Sequence, residues 1–375
     1  MESRMTRRHF SEALLATTAL FSRAATPPRP ETFSFVLLGD LHFDKLEHHD
    51  LDWLQKDHPG DVSQVRNYSR ITKEVHPALF ATVRETITET PVPFVIHAGD
   101  LVEGLCGTDK RAVQQDAEAV AFVREANLGV PFLFAKGNHD VTGPGATDAF
   151  KEVLHPFLTT QATALHAGEM VNECFAFAHN DTQFCFFDAY DKQSLEWLEA
   201  TLAKRTARRC FVIVHPPVVP YGARSTWHIY SSERDKPRRE RLLELLGQHH
   251  AIVLGGHIHK YNLLTRVTPA PRSGRFVQLA ISSVINKPAA ATAKDLLSGV
   301  NEYNGDQIRV EPNFSPATEK ERRSVYEAEA PFVKEFQYAD LPGYAVVTVG
   351  SDRVTAKIFS GTSRQLWRTV ELAGA

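Results

Sequence analysis

Five short runs in this chain end in side chains that bind metal ions: Gly39-Asp40-Leu41-His42, Gly99-Asp100, Gly137-Asn138-His139-Asp140, Val214-His215 and Gly256-His257-Ile258-His259. Four of the five follow an apolar run that reads as a β-strand. The fold must therefore bring distant strand ends together. In an open α/β sheet the meeting place is the edge outside the carboxyl ends of the strands. The glycines before Asp40, Asp100, Asn138 and His257 allow the tight turns and close approach that such an edge requires. Together the runs can hold two metal ions and leave one imidazole for proton transfer.

The rest of the pattern agrees with an α/β architecture. Apolar runs at 33–38, 94–98, 131–135, 210–214 and 251–254 predict buried strands, and 174–178 with 183–187 predicts a hairpin. Between them, 76–90 places Leu79, Phe80, Val83 and Ile87 on one helical face, and 109–127 holds no Gly or Pro. Further helices are expected over 238–248 and after Asp191, which is placed to cap one carrying Leu195, Leu198 and Leu202. Alternating strands and helices give an α/β fold class. The C-terminal third changes character: 263–267, 276–282, 344–349, 354–359 and 366–372 read as strands without intervening helices. Two polar stretches, 43–75 and 288–342, show weak periodicity and read as irregular, the second as a loop or partly helical cover.

Mixed Asp and His donors suit borderline cations such as zinc, iron and manganese. One carboxylate can serve two ions, one oxygen each. Two such ions can clamp an in-line displacement at phosphorus, and a histidine beside them can protonate the departing oxygen. The order D-x-H, G-D, G-N-H-D, H, G-H-x-H resembles the calcineurin-like metallophosphoesterase superfamily over about residues 33–262. That resemblance implies a sandwich of two mixed β-sheets flanked by helices. It implies a first metal on Asp40, His42, Asp100 and His259, and a second on Asp100, Asn138, His215 and His257, with Asp100 as the bridge. It also implies His139 as proton donor and Asp140 as the residue that orients it. No tyrosine occupies the ligand blocks, so they look closer to the class III cyclic-nucleotide phosphodiesterases than to purple acid phosphatases. The stretch 43–75 is longer than compact members need and reads as an insertion near the site.

The remaining expectations concern surroundings. Residues 1–25 begin with Arg7-Arg8-His9-Phe10, continue into a short apolar stretch and end in small residues; they resemble a twin-arginine export signal. The apolar stretch is too short to span a bilayer, so the implied partner is the export machinery and the implied location lies outside the cytoplasm. Losing this segment removes four Arg and two Glu and takes the net charge from -3 to -5. An acidic chain without a Lys/Arg stripe is not expected to bind nucleic acid. Cys174 and Cys185 lie on the two arms of the hairpin, where a bridge is possible; free buried thiols are the expectation. His48, His49, His58 and His76 are expected at the surface or in the insertion, and His97 in the core. Tyr221, Arg224 and His228 lie between two ligand blocks, and Arg224 and His228, with Asn138, are candidate substrate contacts.

The expected organisation is an export signal at 1–25, a catalytic region at 33–287, a cover at 288–342 and completing strands at 343–375. The expected function is hydrolysis of a small phosphodiester or phosphomonoester by metal-activated water, using two divalent or mixed-valence ions of iron, manganese or zinc. The alternative is a catalytically silent relative that binds a partner, phosphate or metal.

Overall fold

The structure is a computed structural model that describes residues 32–221, 227–269, 274–305 and 315–373. The expected export signal and Arg224 lie outside the described residues. In chain order the elements are β1 (Phe33–Leu38), α1 (Leu51–Asp57), α2 (Val62–Glu74), α3 (His76–Glu89), β2 (Val95–His97), α4 (Asp109–Glu125), β3 (Phe132–Phe134), α5 (Ala146–Ala149), α6 (His155–Thr163), β4 (Phe175–His179), β5 (Thr182–Phe186), α7 (Ser194–Ala203), β6 (Arg209–Ile213), α8 (Lys236–Gln248), β7 (Ile252–Gly255), β8 (Tyr261–Thr268), β9 (Gly274–Ala280), β10 (Lys294–Ser298), α9 (Pro316–Glu329), β11 (Val333–Asp340), β12 (Gly343–Val349), β13 (Val354–Ser360) and β14 (Leu366–Ala373). No described helix is long and apolar enough to cross a membrane.

These elements form two mixed sheets. One has six strands in the order β14-β13-β12-β1-β2-β3, the other eight in the order β10-β11-β8-β9-β7-β6-β5-β4. Strands β1, β2 and β3 run parallel in the first sheet, and β5, β6, β7 and β9 in the second. Their lack of polar alternation follows from burial on both faces: β2, β3 and β7 are buried throughout. The sheets face each other through aromatic side chains. Phe35 of β1 meets Phe184 of β5 and Phe211 of β6 edge-on, at 5.5 and 5.4 Å between ring centroids. Phe94 meets Phe177 and Phe184 at 5.2 and 5.1 Å. Edge-to-face pairs at this separation contribute about 0.5–1.5 kcal/mol each beyond their buried area, so the aromatic layer fixes how the sheets dock. Docking aligns the carboxyl ends of β1, β2 and β3 with those of β6 and β7.

Both stretches expected to be irregular carry helices or strands among their described residues. Residues 43–75 contain α1 and α2, with Leu54, Val65, Tyr68 and Ile71 buried. The helical signal was weak because much of what this segment buries is polar. The fully buried carboxylate of Asp44 accepts hydrogen bonds from His49 (2.7 Å), Ser69 (2.7 Å) and Gln115 (2.8 Å). His48, His49 and His76 are therefore buried rather than superficial, while His58 stays partly exposed. In 288–342, β11 pairs with β8 on one side and β10 on the other, so the segment extends the eight-stranded sheet rather than only covering it. Glu329 near the end of α9 ties it down by accepting from Arg239 and Arg266.

Smaller expectations divide. Asp191 accepts from the Gln193 amide at 2.7 Å in a turn ahead of α7, and Gln193 stands at the cap instead. All four cysteines are free and buried. The hairpin register places Cys185 opposite Ala176, so Cys174 has no facing thiol. His97 is fully buried in β2, as expected of a core residue.

Candidate metal centre

Each ligand block turns immediately after its strand, and the turns carry unusual backbone. His42, Asp100, His257 and His259 all have positive φ, at 50°, 56°, 74° and 54°. The left-handed region costs a non-glycine residue about 1–2 kcal/mol. Four such residues at one edge require the surrounding fold to hold them there, and strain of this kind clusters at functional sites. Sequence offers no signal for it, because histidine and aspartate are ordinary residues elsewhere.

The turns also make room for one another. A Cβ on Gly99, whose φ is +103°, would lie 2.6 Å from Nδ1 of His215. A Cβ on Gly137 would lie 2.0 Å from an Asp100 carboxylate oxygen, and one on Gly256 2.7 Å from Asp40 Oδ2. Each of these glycines gives space to a ligand of a different block.

The ligand blocks build two donor sets, and a third group, His42, Glu103 and His139, stands beside them. Asp40, His42, Asp100 and His259 each direct one ligand atom into a common volume, all within 4.8 Å of one another. Asp100, His215 and His257 form a second set by the same measure, and Asn138 Oδ1 joins it at 3.2 Å from His215 Nε2. Asp100 belongs to both. Its Oδ2 lies 3.0 Å from His215 Nε2 and 3.7 Å from His42 Nε2, and its Oδ1 accepts from the His139 amide at 2.9 Å.

The ring nitrogens facing the centre are acceptors in their neutral form, because their opposite nitrogens are occupied. His42 Nδ1 donates to Glu103 Oε2 at 2.7 Å, and His215 Nδ1 donates to the Ala98 carbonyl at 2.9 Å. This leaves His42 Nε2 at 3.0 Å from His259 Nε2, and His215 Nε2 at 3.1 Å from His257 Nδ1. A proton or a cation placed among these nitrogens satisfies them. Asp40 makes the same point: Oδ1 accepts from the His257 amide at 2.6 Å, while buried Oδ2 has no hydrogen-bond donor. Burial pushes the Asp40 carboxyl up to about 7, and the nearby charge of Asp100 adds to the rise. At Asp100 burial acts in the same sense but is outweighed by His215 and His139, which hold its carboxyl well below the ordinary range. The donor set therefore fits two cations of the borderline class.

Beside the donor sets stands His139, whose Nδ1 donates to the Glu103 carbonyl at 2.7 Å and lies 3.3 Å from the Glu103 carboxylate. Burial disfavours its charged form, but Glu103 and Asp100 outweigh that effect and raise its pKa to about 9. Asp140 does not reach this ring. Its carboxylate accepts from the Gly137 and Val102 amides at 2.7 and 3.1 Å, joining the second and third blocks. The carboxylate that addresses His139 is Glu103, three residues after Asp100, a residue the sequence reading passed over. Its only signal was a carboxylate close behind a ligand block.

Of the candidate substrate contacts, Asn138 is at the centre. His228 is fully buried, as is Tyr221, whose hydroxyl donates to the Gly256 carbonyl at 3.0 Å. Among the described residues of that segment, Trp227 meets the site, with its ring 5.2 Å from that of His257. His228 is buried here, and Trp227 is an aromatic neighbour of the centre that carried no signal in the sequence.

Comparison with known proteins agrees with this geometry. The family model for calcineurin-like phosphoesterases matches residues 33–261. No curated protein matches the chain. Among solved structures, a purple acid phosphatase from yellow lupin (Lupinus luteus) seeds is 12% identical, with a TM-score of 0.50 over 91% of this chain and 54% of its own. This chain thus spans about half the length of the lupin enzyme. PhoD is 12% identical, with a TM-score of 0.52 over 91% of this chain and 68% of its own. A dimetal phosphatase from Danio rerio is 12% identical, with a TM-score of 0.50 over 92% of this chain and 99% of its own. At such identity the likeness is one of fold. With the family model covering the whole ligand-bearing region, the chain belongs to the calcineurin-like phosphoesterase family.

Proposed function

We propose that this protein is an exported hydrolase of small phosphate esters that works with two metal ions. The observation that carries the reading is the pair of donor sets sharing Asp100, with His139 beside them and outside both. Asp40, His42, Asp100 and His259 would hold one ion, and Asp100, Asn138, His215 and His257 the other. Iron, manganese and zinc suit such donors. Bound there, the ions would supply Lewis acidity toward phosphoryl oxygens and make water nucleophilic near neutral pH. The chain's own residues supply the rest. Asn138 presents an amide where the phosphoryl oxygens gather. His139 has Nδ1 committed to the Glu103 carbonyl, so its Nε2 is the atom that passes a proton to the departing oxygen. Trp227 walls the second donor set with an apolar face.

Diesters are placed ahead of monoesters because the ligand blocks carry no tyrosine and match the D-x-H, N-H-D, H-x-H set of the cyclic-nucleotide phosphodiesterase branch. A catalytically silent role is disfavoured by the presence of both Asp100 and His139.

The test is a paired assay of bis(p-nitrophenyl) phosphate and p-nitrophenyl phosphate, with metals quantified on the same preparation. Turnover that disappears on chelation and returns with Mn²⁺ or Zn²⁺ is expected, with the diester preferred. Metal-independent turnover, or two bound metals with no turnover of either ester, would reject the assignment. For export, changing Arg7 and Arg8 together to Lys should retain the precursor in the cytoplasm; normal export would reject the twin-arginine route.

A further inference from the structure

Helix α2 lies outside every ligand block, yet its Tyr68 reaches the first donor set and its Gln64 the carboxylate behind His42. Tyr68 stacks face to face on the His42 ring, with centroids 4.3 Å apart and planes 3° from parallel. Its hydroxyl oxygen lies 3.5 Å from His259 Nδ1, the nitrogen turned away from His42. One turn earlier, Gln64 Nε2 donates to Glu103 Oε1 at 2.9 Å. The other Glu103 oxygen is the one that receives His42 Nδ1. Glu103 is fully buried. Without a fixed donor on Oε1, that carboxylate would be free to rotate and to release His42. Tyr68 and Gln64 thus address the same ligand from two directions, one across the ring face and one along its Nδ1–H bond.

The second donor set is held differently. His215 is fixed by a main-chain carbonyl, that of Ala98. His42 of the first set is therefore supported by side chains, Glu103 and through it Gln64, with Tyr68 on its face, whereas His215 of the second is supported by backbone.

We infer that Gln64 and Tyr68 are positioning residues for the first metal, acting through Glu103, His42 and His259, and that α2 is a structural part of that half-site. The inference rests on the two-metal reading above. A ligand-supporting hydrogen bond commonly accounts for 10- to 100-fold in metal affinity, and loss confined to one half-site separates positioning from general destabilisation. The full chain is stripped by chelation and titrated with Zn²⁺ and with Mn²⁺ by calorimetry, while the melting temperature of the metal-free form is recorded in parallel. Wild type should bind two ions. Tyr68→Leu and Gln64→Met should each weaken one of the two binding events by about 10- to 100-fold and leave the other unchanged. Tyr68→Phe keeps the stacked ring and should recover most of the affinity that Tyr68→Leu loses. Equal weakening of both events, or two events at wild-type affinity in both variants, would overturn the inference while leaving the two-metal reading intact. A wild-type protein that binds no ion would remove that reading and the inference with it.

Discussion

The two halves of the metal centre share Asp100 and are joined by the His257 amide on Asp40, but their histidines are held differently. The second half, around His215 and His257, is built on the ends of adjacent parallel strands β6 and β7. The first half joins the end of β1 to a ligand from the opposite sheet, His259. It depends on Glu103, Gln64 and Tyr68 to keep His42 in place. A backbone-supported half-site follows from the fold alone. A half-site supported by side chains depends on residues outside the ligand blocks, and Gln64 and Tyr68 in the 43–75 segment are such residues. On that inference, deleting the 43–75 segment should remove the support of a ligand.

The comparison can be broken in order of expected effect. Asp100→Ala removes the shared ligand, so both ions and turnover should fall to background together; retention of either ion in elemental analysis would mean that the halves are independent. His139→Ala lies outside both donor sets. It should keep the metals and lose about 10²–10⁴-fold in rate, less for esters with acidic leaving groups. A loss of equal size for every leaving group would argue against proton donation. Glu103→Gln should weaken the first half selectively, by roughly 10- to 100-fold in metal affinity, because the neutral amide can still pair with Gln64 but holds His42 less firmly. Weakening of both binding events alike would show that Glu103 supports the fold rather than one ligand.

The smallest effect concerns acid stability. Burial lowers His76, at the start of α3, from 6.5 to about 3, and burial with the neighbouring charge of His215 does the same for His97. The folded protein keeps both neutral, whereas the unfolded chain takes up protons below about 6.5. Their contribution is therefore complete above pH 6.5 and is lost as pH falls from there toward 3. Each should cost about 1.4 kcal/mol per pH unit within that window. Urea unfolding of metal-free protein at pH 7 and pH 5 measures the slope. His76→Leu should make it shallower by one proton; an unchanged slope would mean that His76 is charged or exposed.

Much of the centre was legible because strand ends and metal donors are both sequence signals. The alternation of apolar runs and helices placed β1, β2, β3, β6 and β7, and each ligand lies two to four residues from a strand end. What escaped was everything that supports the ligands from elsewhere. Glu103 and Gln64 are polar residues whose partners lie far along the chain. Tyr68 sits in a helix whose buried face is partly polar, so apolar periodicity did not reveal it. Strand β11 was read as part of a cover because it joins the eight-stranded sheet at a position remote from its sequence neighbours. Asp140 was given the role of Glu103 because adjacency in sequence stood in for adjacency in space.

The glycines that vacate space for ligands of other blocks bear on how the centre comes into being. Gly99 leaves room for the ring of His215, and Gly256 for the carboxylate of Asp40; each pair joins one sheet to the other. Neither sheet can complete even half of the centre before the two have docked. Metal uptake during refolding should therefore be a late event that reports sheet docking, rather than a nucleus around which the chain collects. An ion added early would meet only scattered histidines, and an ion added after docking would meet a finished cage. Order-of-addition refolding, followed by a metal-sensitive dye and by tryptophan fluorescence, would time the two events against each other.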